Sequence, residues 1–401
     1  MMQCEHPRWC RRAERAIAQT TCTNSKRPSA FIEGIYPTHV AKGHGCYLYD
    51  VKGNRYIDFV GGLGTNILGY GHPKVTEAVV KYAYRGPSLS LPHTLEVEVA
   101  EKVKDMFPFI EKVRFFKTGS EACSAAVRIA RAYNSSGNYV ISDGYHGWHD
   151  LFTSMSSPAL GVRDSFCAVD TFSYNPTTYY AACWITEPLH LDASPDRIKE
   201  VRRWMGLAEK NNFVTIFDEI VTGLRVPNHS VASWWKLKPD LICLGKGIAN
   251  GYPLSIVGGR SEVMDCGEWF CSSTYAGDVV SLAACQATLN EVSKNKSVED
   301  LFFYADNFLS SLNSILDLID VEIEGYGTRG LLDVSTRNAA LLMQECCKAN
   351  ILLGKAYFFS WAHLEAEITE HVLNVIGDVV ERIKRGRTRL EGPMPIQTFK
   401  R

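Results

Sequence analysis

Short apolar runs alternate with polar or helix-patterned stretches between about residues 113 and 257. Near-continuous apolar runs separated by helices are typical of a mostly parallel sheet with helices on both faces. Apolar residues at helical spacing predict helices over Glu121–Tyr133 and Asp196–Asn211. The predicted strands are Val113–Phe116, Tyr139–Ser142, Ala182–Thr186, Val214–Phe217, Leu241–Leu244 and Leu254–Val257.

The flanking segments predict a second, smaller α+β domain. Two apolar runs around Lys-Gly-Asn predict a hairpin over Tyr47–Phe59, and helices are predicted over Pro73–Tyr84 and Thr94–Met106. Helices dominate after Leu282, apart from a strand pair near 321–324 and 331–334. We therefore divide the chain into an irregular arm (1–30), an N-terminal segment of the small domain with a linker (31–90), a large domain (91–290), and a C-terminal small-domain segment with a basic tail (291–401).

Charge and composition narrow the possible partners. The 43 Lys and Arg residues nearly balance the 44 Asp and Glu residues, which argues against nucleic acid or an anionic membrane surface as a partner. One of the longest uncharged apolar stretches, Val279–Leu289, is far shorter than the about 20 residues of a membrane span. The 13 scattered cysteines are typical of reduced thiols and predict a cytoplasmic protein. Cys4, His6 and Cys10 lack a zinc-binding spacing, so no metal site is predicted.

Five predicted strands end in residues that carry chemistry. Because ligands of open α/β sheets bind outside the carboxyl ends of the strands, these residues are expected to meet in one crevice. Each of these residues, considered alone, also has a purely structural explanation: Ser120 as a helix cap, Tyr145 as a core aromatic, and Lys246 as a surface charge. The segments are Lys117–Glu121, Asp143–Gly147, Glu187-Pro188, Asp218-Glu219-Ile220 and Gly245-Lys246-Gly247.

Pyridoxal 5′-phosphate uses all of these residue types together. Its aldehyde requires a lysine, for which Lys246 is the candidate, and its pyridine nitrogen requires a carboxylate, for which Asp218 is the candidate. The small residues Gly119 and Ser120 open a predicted helix, where free backbone N–H groups and the helix dipole favour a phosphate. The sequence therefore predicts a pyridoxal-phosphate enzyme.

At this point the ordered motifs resemble a known family. They are Gly45–Phe59, Leu68–Pro73, Leu95–Val103, Val113–Ala132 (VRFFKTGSEACSAAVRIARA), Gly144–Gly147 (GYHG), Phe217–Arg225 (FDEIVTGLR), Pro239–Gly259, Thr274–Gly277 and Ser281–Ala284. From about residue 30 to 380 the chain resembles the class III aminotransferases of the fold-type I pyridoxal-phosphate superfamily. Within them it is most similar to the glutamate-1-semialdehyde 2,1-aminomutases. The resemblance implies a large domain with a mostly parallel seven-stranded sheet and a smaller α+β domain.

The resemblance also implies a role for each matching residue. Lys246 would form the internal aldimine and move a proton, and Asp218 would pair with the pyridinium nitrogen. Gly119 and Ser120 would bind phosphate, while Tyr145 and Ile220 would pack on opposite faces of the ring. Glu187 matches a carboxylate near the cofactor.

Thr274 matches a residue that reaches the phosphate of the neighbouring subunit. The resemblance therefore implies a homodimer with shared active sites.

Two departures from the family fall where a substrate would be recognised. The Glu-Pro turn continues as Leu189-His190-Leu191-Asp192, without the usual Gly or Asn, and the Gly-rich loop reads Gly61–Asn66 without the usual aromatic and Pro. We therefore predict an aminotransferase that moves an amino group from an amino acid, expected to be glutamate, to an unnamed carbonyl acceptor. A glutamate-1-semialdehyde-type aminomutase and a decarboxylase of the same fold are the alternatives.

Overall fold

The computed structural model describes residues 6–135, 137–153, 162, 168–171, 175, 180–294 and 297–396. The chain divides into two compact units, one formed by residues 1–72 with 301–398 and the other mainly by residues 73–300. The first five and last five residues, parts of the predicted arm and tail, lie outside the described residues.

The strands of both units are short, and the described ones are labelled here in chain order. They are β1 (Val40–His44), β2 (Tyr47–Asp50), β3 (Arg55–Asp58), β4 (Lys112–Phe116), β5 (Tyr139–Ser142), β6 (Ala168–Asp170), β7 (Ala181–Thr186), β8 (Val214–Glu219), β9 (Leu241–Leu244), β10 (Ser255–Gly259), β11 (Ile323–Tyr326), β12 (Arg329–Leu332), β13 (Ile351–Leu352) and β14 (Ala356–Phe358).

The described helices range from a single turn to 19 residues. They are α1 (Pro7–Ala16), α2 (Gly61–Gly64), α3 (Pro73–Ala83), α4 (Thr94–Met106), α5 (Gly119–Tyr133), α6 (Asp150–Thr153), α7 (Pro195–Asn211), α8 (Val231–Trp234), α9 (Ser261–Met264), α10 (Val279–Lys294), α11 (Val298–Leu316), α12 (Arg337–Lys348) and α13 (Ala366–Lys384).

The 73–300 unit contains a seven-stranded sheet with the order β4-β10-β9-β8-β7-β5-β6. Strands β9, β8, β7, β5 and β6 pair in parallel, while β10 runs antiparallel to both of its neighbours. The prediction of a mostly parallel seven-stranded sheet is therefore confirmed. The edge strand β6 has only three residues, too few to give a recognisable apolar run, and was absent from the predicted strands.

Helix α5 packs across the strands of this sheet and supplies much of its core. Its buried face consists of small and branched residues, including Ala122, Ala126 and Ile129, which contact a cluster that includes Ile185 and Ile216. Near-complete burial of both faces explains why strands β7 and β9 are apolar almost throughout, whereas β8 also carries Thr215 and two carboxylates at its end.

The other unit contains two small sheets. The hairpin β2–β3 is antiparallel, as predicted, and belongs to a four-stranded sheet with the order β1-β2-β3-β13. Strands β11 and β12 pair antiparallel in a three-stranded sheet with β14. The predicted arm is not irregular throughout, because Pro7–Ala16 is helical. Cys10 in this helix is disulfide-bonded, so the prediction of reduced thiols is wrong for this residue.

Candidate active site

The register of the sheet brings the predicted strand ends to one edge. Ser142 of β5 pairs with Ile185 of β7, and Glu219 of β8 pairs with Leu244 of β9. Because these strands run in parallel, the turns that follow them leave the sheet at the same edge. The turns that carry Tyr145, Asp218 and Lys246 therefore share this edge.

The turn after strand β4, called here the phosphate turn because it leads to Gly119 and Ser120, lies at the same edge of the sheet. Its last residue, Phe116, pairs with Ser255, the first residue of β10. Since β10 is antiparallel to both β4 and β9, β4 runs in the same direction as β9. The Ser255 hydroxyl donates to the carbonyl of Thr118 at 2.7 Å and so fixes the turn after β4.

The start of α5 provides donors for an anion. Thr118 and Glu121 form a capping box, in which each side chain accepts a hydrogen bond from the other residue's backbone N–H. The Glu121 carboxylate also accepts the N–H of Lys117 at 2.8 Å. The intervening residues Gly119 and Ser120 occupy the first helical turn, where N–H groups have no intrahelical acceptor. These N–H groups and the helix dipole together suit a phosphate.

Asp218 lies near the end of β8 and is only 5 % exposed. One of its oxygens, Oδ1, accepts the N–H of Ile220 at 3.1 Å, which fixes the turn after the strand. The other oxygen, Oδ2, accepts hydrogen bonds from His146 Nδ1 at 2.7 Å and from the Cys123 thiol at 3.5 Å. Asp218 is thus a buried, oriented carboxylate at the crevice edge.

His146 is 1 % exposed and forms an ion pair with Asp218. Burial lowers its pKa, but the hydrogen bond and charge of Asp218, with the charges of Asp143 and Glu187, outweigh burial and raise the pKa above its ordinary value. These surroundings therefore favour the charged form of the imidazole ring. A buried carboxylate is less costly when it faces such a partner.

Ile220 and two glycines lie within close packing distance at the same edge. A methyl group added at Gly119 would lie 3.1 Å from Ile220 Cγ2, and one added at Gly245 would lie 2.9 Å from Ile220 Cδ1. The absence of side chains at both glycines therefore lets Ile220 pack directly against their backbone. Lys246 follows directly with a positive φ of 42°, an unusual conformation for a lysine that points to a constrained position.

The turn that carries Tyr145 packs against the start of α5. The N–H of Trp148 donates to the Ser120 hydroxyl at 3.1 Å, and a methyl group added at Gly147 would lie 2.4 Å from the same oxygen. Tyr145 itself is half-buried. The structure therefore brings the segments of Tyr145 and Ser120 together, in line with the predicted constellation.

Thr274 lies in the loop before α10 and is exposed in the single chain. The loop is anchored near the phosphate turn because Asp278 forms an ion pair with Lys117, the residue after β4. Asp278 also caps α10 by accepting the N–H groups of Val280 and Ser281. A role for Thr274 in a neighbouring subunit stays a prediction.

Four residues around this edge were not assigned roles from sequence: Cys123, Asp143, His146 and Arg197. His146 was visible as a histidine between glycines in the motif Gly144–Gly147, but nothing in that motif indicated an aspartate partner. Arg197, on α7, carried no sequence signal, because its contacts with the carbonyls of Glu187 and Pro188 and with the Asp143 carboxylate, 54 residues earlier, depend on the fold.

The comparisons with known proteins identify the family. The model of class III aminotransferases matches residues 32–186 and 190–350. The chain belongs to the class III aminotransferases. Pyridoxal 5′-phosphate is the cofactor of this family, and the predicted cofactor is confirmed.

Curated relatives resemble this class III aminotransferase over most of its length. The glutamate-1-semialdehyde 2,1-aminomutase of Symbiobacterium thermophilum is 33 % identical over 337 residues, which cover 75 % of this chain and 77 % of that protein. The protein of the same name from Francisella philomiragia is 31 % identical over 356 residues, covering 80 % and 82 %. A solved transaminase with pyridoxal phosphate bound matches the fold with a TM-score of 0.82 at 23 % identity, covering 97 % of this chain and all of that one.

The residues at the sheet edge fit this cofactor. Glycine at 119 and 245 lets the Ile220 side chain keep its position at this edge, because a methyl group at either residue would press on it. The buried Asp218 carboxylate suits a protonated ring nitrogen, and the α5 N-terminus suits a phosphate. Within the described ranges, no group of three or more His, Cys, Asp or Glu side chains could hold a metal ion, and no helix is long and apolar enough to cross a membrane.

Proposed function

We propose that this class III aminotransferase moves an amino group from an amino acid donor, with glutamate as the expected donor, to a carbonyl acceptor. The observation that carries the proposal is the joint placement of Lys246, Asp218 and the α5 N-terminus at one sheet edge. When bound, pyridoxal phosphate supplies an electron sink for the electron pair left at the substrate α-carbon.

The candidate site residues each have a specific role in the proposed reaction. Lys246 Nζ would hold the cofactor covalently and, once released, would carry the proton taken from the substrate α-carbon. Asp218 would accept a hydrogen bond from the protonated ring nitrogen and keep that proton in place. Gly119 and Ser120 would bind the phosphate through their N–H groups, and Tyr145 and Ile220 would cover the two faces of the ring.

We further propose that the active unit is a homodimer. Three features support this proposal: Thr274 is exposed, its neighbour Tyr275 is 62 % exposed, and Asp278 ties their loop to the phosphate turn. A hydroxyl supplied from a second subunit would add a donor to the phosphate site.

An aminomutase that moves the amino group within one molecule is the second candidate function. It is favoured by relatives of that name at 33 % and 31 % identity.

Two assays of the purified protein, one with glutamate and one with glutamate-1-semialdehyde, distinguish the two candidate functions. An aminotransferase releases 2-oxoglutarate in an amount equal to the cofactor, and an added carbonyl acceptor makes this release catalytic. An aminomutase instead converts glutamate-1-semialdehyde to 5-aminolevulinate without any other amino donor. If the protein does neither, glutamate is not the donor and the aminomutase candidate is wrong.

A further inference from the structure

A row of alternating charges continues behind Asp218, away from the residues that would hold the cofactor. His146 Nδ1 lies 2.7 Å from Asp218 Oδ2, and on the other side of the ring His146 Nε2 lies 4.0 Å from Asp143 Oδ1. Asp143 Oδ2 in turn accepts a hydrogen bond from Arg197 at 3.2 Å. The order is therefore arginine, aspartate, histidine, aspartate, so that with His146 in its charged form each charge lies next to one of opposite sign.

The His146 ring is held in a fixed orientation. Its Nε2 is buried and has no hydrogen-bond acceptor in the described part of the chain. The ring of Phe152 on α6 packs edge-on against it, with centroids 5.4 Å apart. A neutral ring that donated through Nδ1 would direct the lone pair of Nε2 towards the Asp143 carboxylate. A charged ring instead directs an N–H at that carboxylate, which is the favourable arrangement.

Arg197 fixes Asp143 and a second strand-end turn together. Its Nε donates to the carbonyl of Pro188 at 2.9 Å, and one terminal nitrogen donates to the carbonyl of Glu187, also at 2.9 Å. The same terminal nitrogen reaches Asp143 Oδ2 and the Thr186 hydroxyl, each at 3.2 Å. One guanidinium thus joins the end of β7 to the turn after β5, which carries His146.

The surroundings explain why Asp143 requires this partner. Burial raises the pKa of Asp143 above its ordinary value, and the charge of His146, the Thr186 hydroxyl and Arg197 limit this rise without reversing it. Loss of Arg197 would remove one of the groups that favour the ionised form of the Asp143 carboxylate. The charged groups that face His146 are Asp218 from β8, Asp143 from the turn after β5 and Glu187 from the turn after β7.

We propose that Asp143 is a positioning residue for the reaction: held by Arg197, it keeps the His146 ring charged and turned towards Asp218. This inference rests on the proposed function, because it assigns Asp143 to the support of the carboxylate that would pair with the ring nitrogen. Asp143 acts only through His146 and makes no contact with substrate in this account.

The test is the titration of His146, followed by NMR of full-length protein labelled with ¹³C at histidine Cε1. His146→Gln identifies the resonance. In Asp143→Asn the midpoint of the His146 titration should fall by about one pH unit or more, since an opposite charge at about 4 Å shifts a pKa by roughly that much. A merely structural role for Asp143 would leave this midpoint in place.

Glu200→Gln is the matched control. Glu200 accepts a hydrogen bond from the other terminal nitrogen of Arg197 at 2.8 Å, on the more exposed side, where the glutamate side chain is 44 % exposed. Like Asp143→Asn, the substitution Glu200→Gln removes one negative charge beside Arg197, but it leaves the Asp143 carboxylate in place. The His146 titration should therefore match that of the wild type. A shift as large as that of Asp143→Asn would contradict the proposal.

A second variant covers the case in which Asp143→Asn does not fold because the part-buried Arg197 has lost one of its two carboxylate partners. The double variant Asp143→Asn with Arg197→Met removes both charges, and its His146 midpoint should still lie below that of the wild type. An unchanged midpoint in this variant or in Asp143→Asn overturns the proposal.

Repeating the titration on protein stripped of cofactor separates this inference from the proposed function. If Lys246 binds no cofactor, the proposed function is wrong. A lower His146 midpoint in Asp143→Asn would then still support the link between Asp143 and His146. An unchanged midpoint in protein with normal cofactor binding would overturn this inference alone.

Discussion

Glu219, the residue after Asp218, makes the stability of the protein depend on pH. Its side chain is fully buried at the end of β8. The carboxylate accepts the N–H of Val231 at 2.7 Å, the N–H of Ala232 at 2.9 Å and the Thr222 hydroxyl at 3.1 Å. Burial nevertheless outweighs these hydrogen bonds and raises the pKa of Glu219 from 4.5 to about 7.

The sign of the effect follows from which state binds more protons. Between pH 4.5 and about 7 the folded protein holds a proton on Glu219 that the unfolded chain has released. The contribution of Glu219 to stability is therefore present below pH 4.5 and is lost as the pH rises to about 7. Each pKa unit corresponds to about 1.4 kcal/mol, so the loss between about pH 5 and about pH 8 is on the order of 2 to 3 kcal/mol.

Urea unfolding of Glu219→Gln and wild type at these two pH values measures this loss. Glutamine resembles the protonated carboxyl, so the wild type should lose about 2 to 3 kcal/mol relative to the variant between the lower and the higher pH. Glu209→Gln, on the exposed side of α7, controls for the removal of one negative charge. A difference between Glu219→Gln and wild type that does not change with pH would refute the reasoning.

Three further predictions concern the site itself. Asp218→Asn removes the charge that would face the ring nitrogen, and turnover should fall by about 10²- to 10³-fold, as for other essential electrostatic groups; near-normal turnover would contradict the assignment. Gly245→Ala places a methyl group 2.9 Å from Ile220 and should lower the melting temperature, whereas Gly144→Ala, with no atom within 4 Å of the added methyl, should not. Mixing the inactive variant Lys246→Ala with the impaired variant Thr274→Ala should restore activity through heterodimers that contain one intact site, and no recovery after subunit exchange would argue against a shared site.

The sequence was sufficient for features that depend on local pattern. Helix α4 has the predicted bounds, Thr94–Met106, because its apolar residues keep helical spacing between clear ends. Helix α5 begins two residues before the predicted start, since the capping box of Thr118 and Glu121 extends it back to Gly119. The strand ends that carry Asp218 and Lys246 could be placed on one edge because parallel strands align their carboxyl ends.

The residues behind the site could not be found in this way. Asp218 lies 72 residues from His146 and Asp143 lies 54 residues from Arg197, and only the register of β5, β7 and β8 brings these pairs together. Their contacts are set by tertiary packing, which leaves no periodic signal in a single sequence. The helix Pro7–Ala16 was also missed, because its polar and charged composition resembles that of an irregular arm.

The central claim is that Lys246 holds the cofactor, and borohydride reduction tests it most directly. Reduction of the purified protein followed by peptide mass analysis should find the cofactor's mass on the peptide that contains Lys246, and the label should be absent from Lys246→Ala. Lys117, which lies beside the phosphate turn and forms an ion pair with Asp278, is the matched control, and Lys117→Ala should still be labelled at Lys246. Label on a different lysine, or no label on protein that has been supplied with pyridoxal phosphate, would contradict the account.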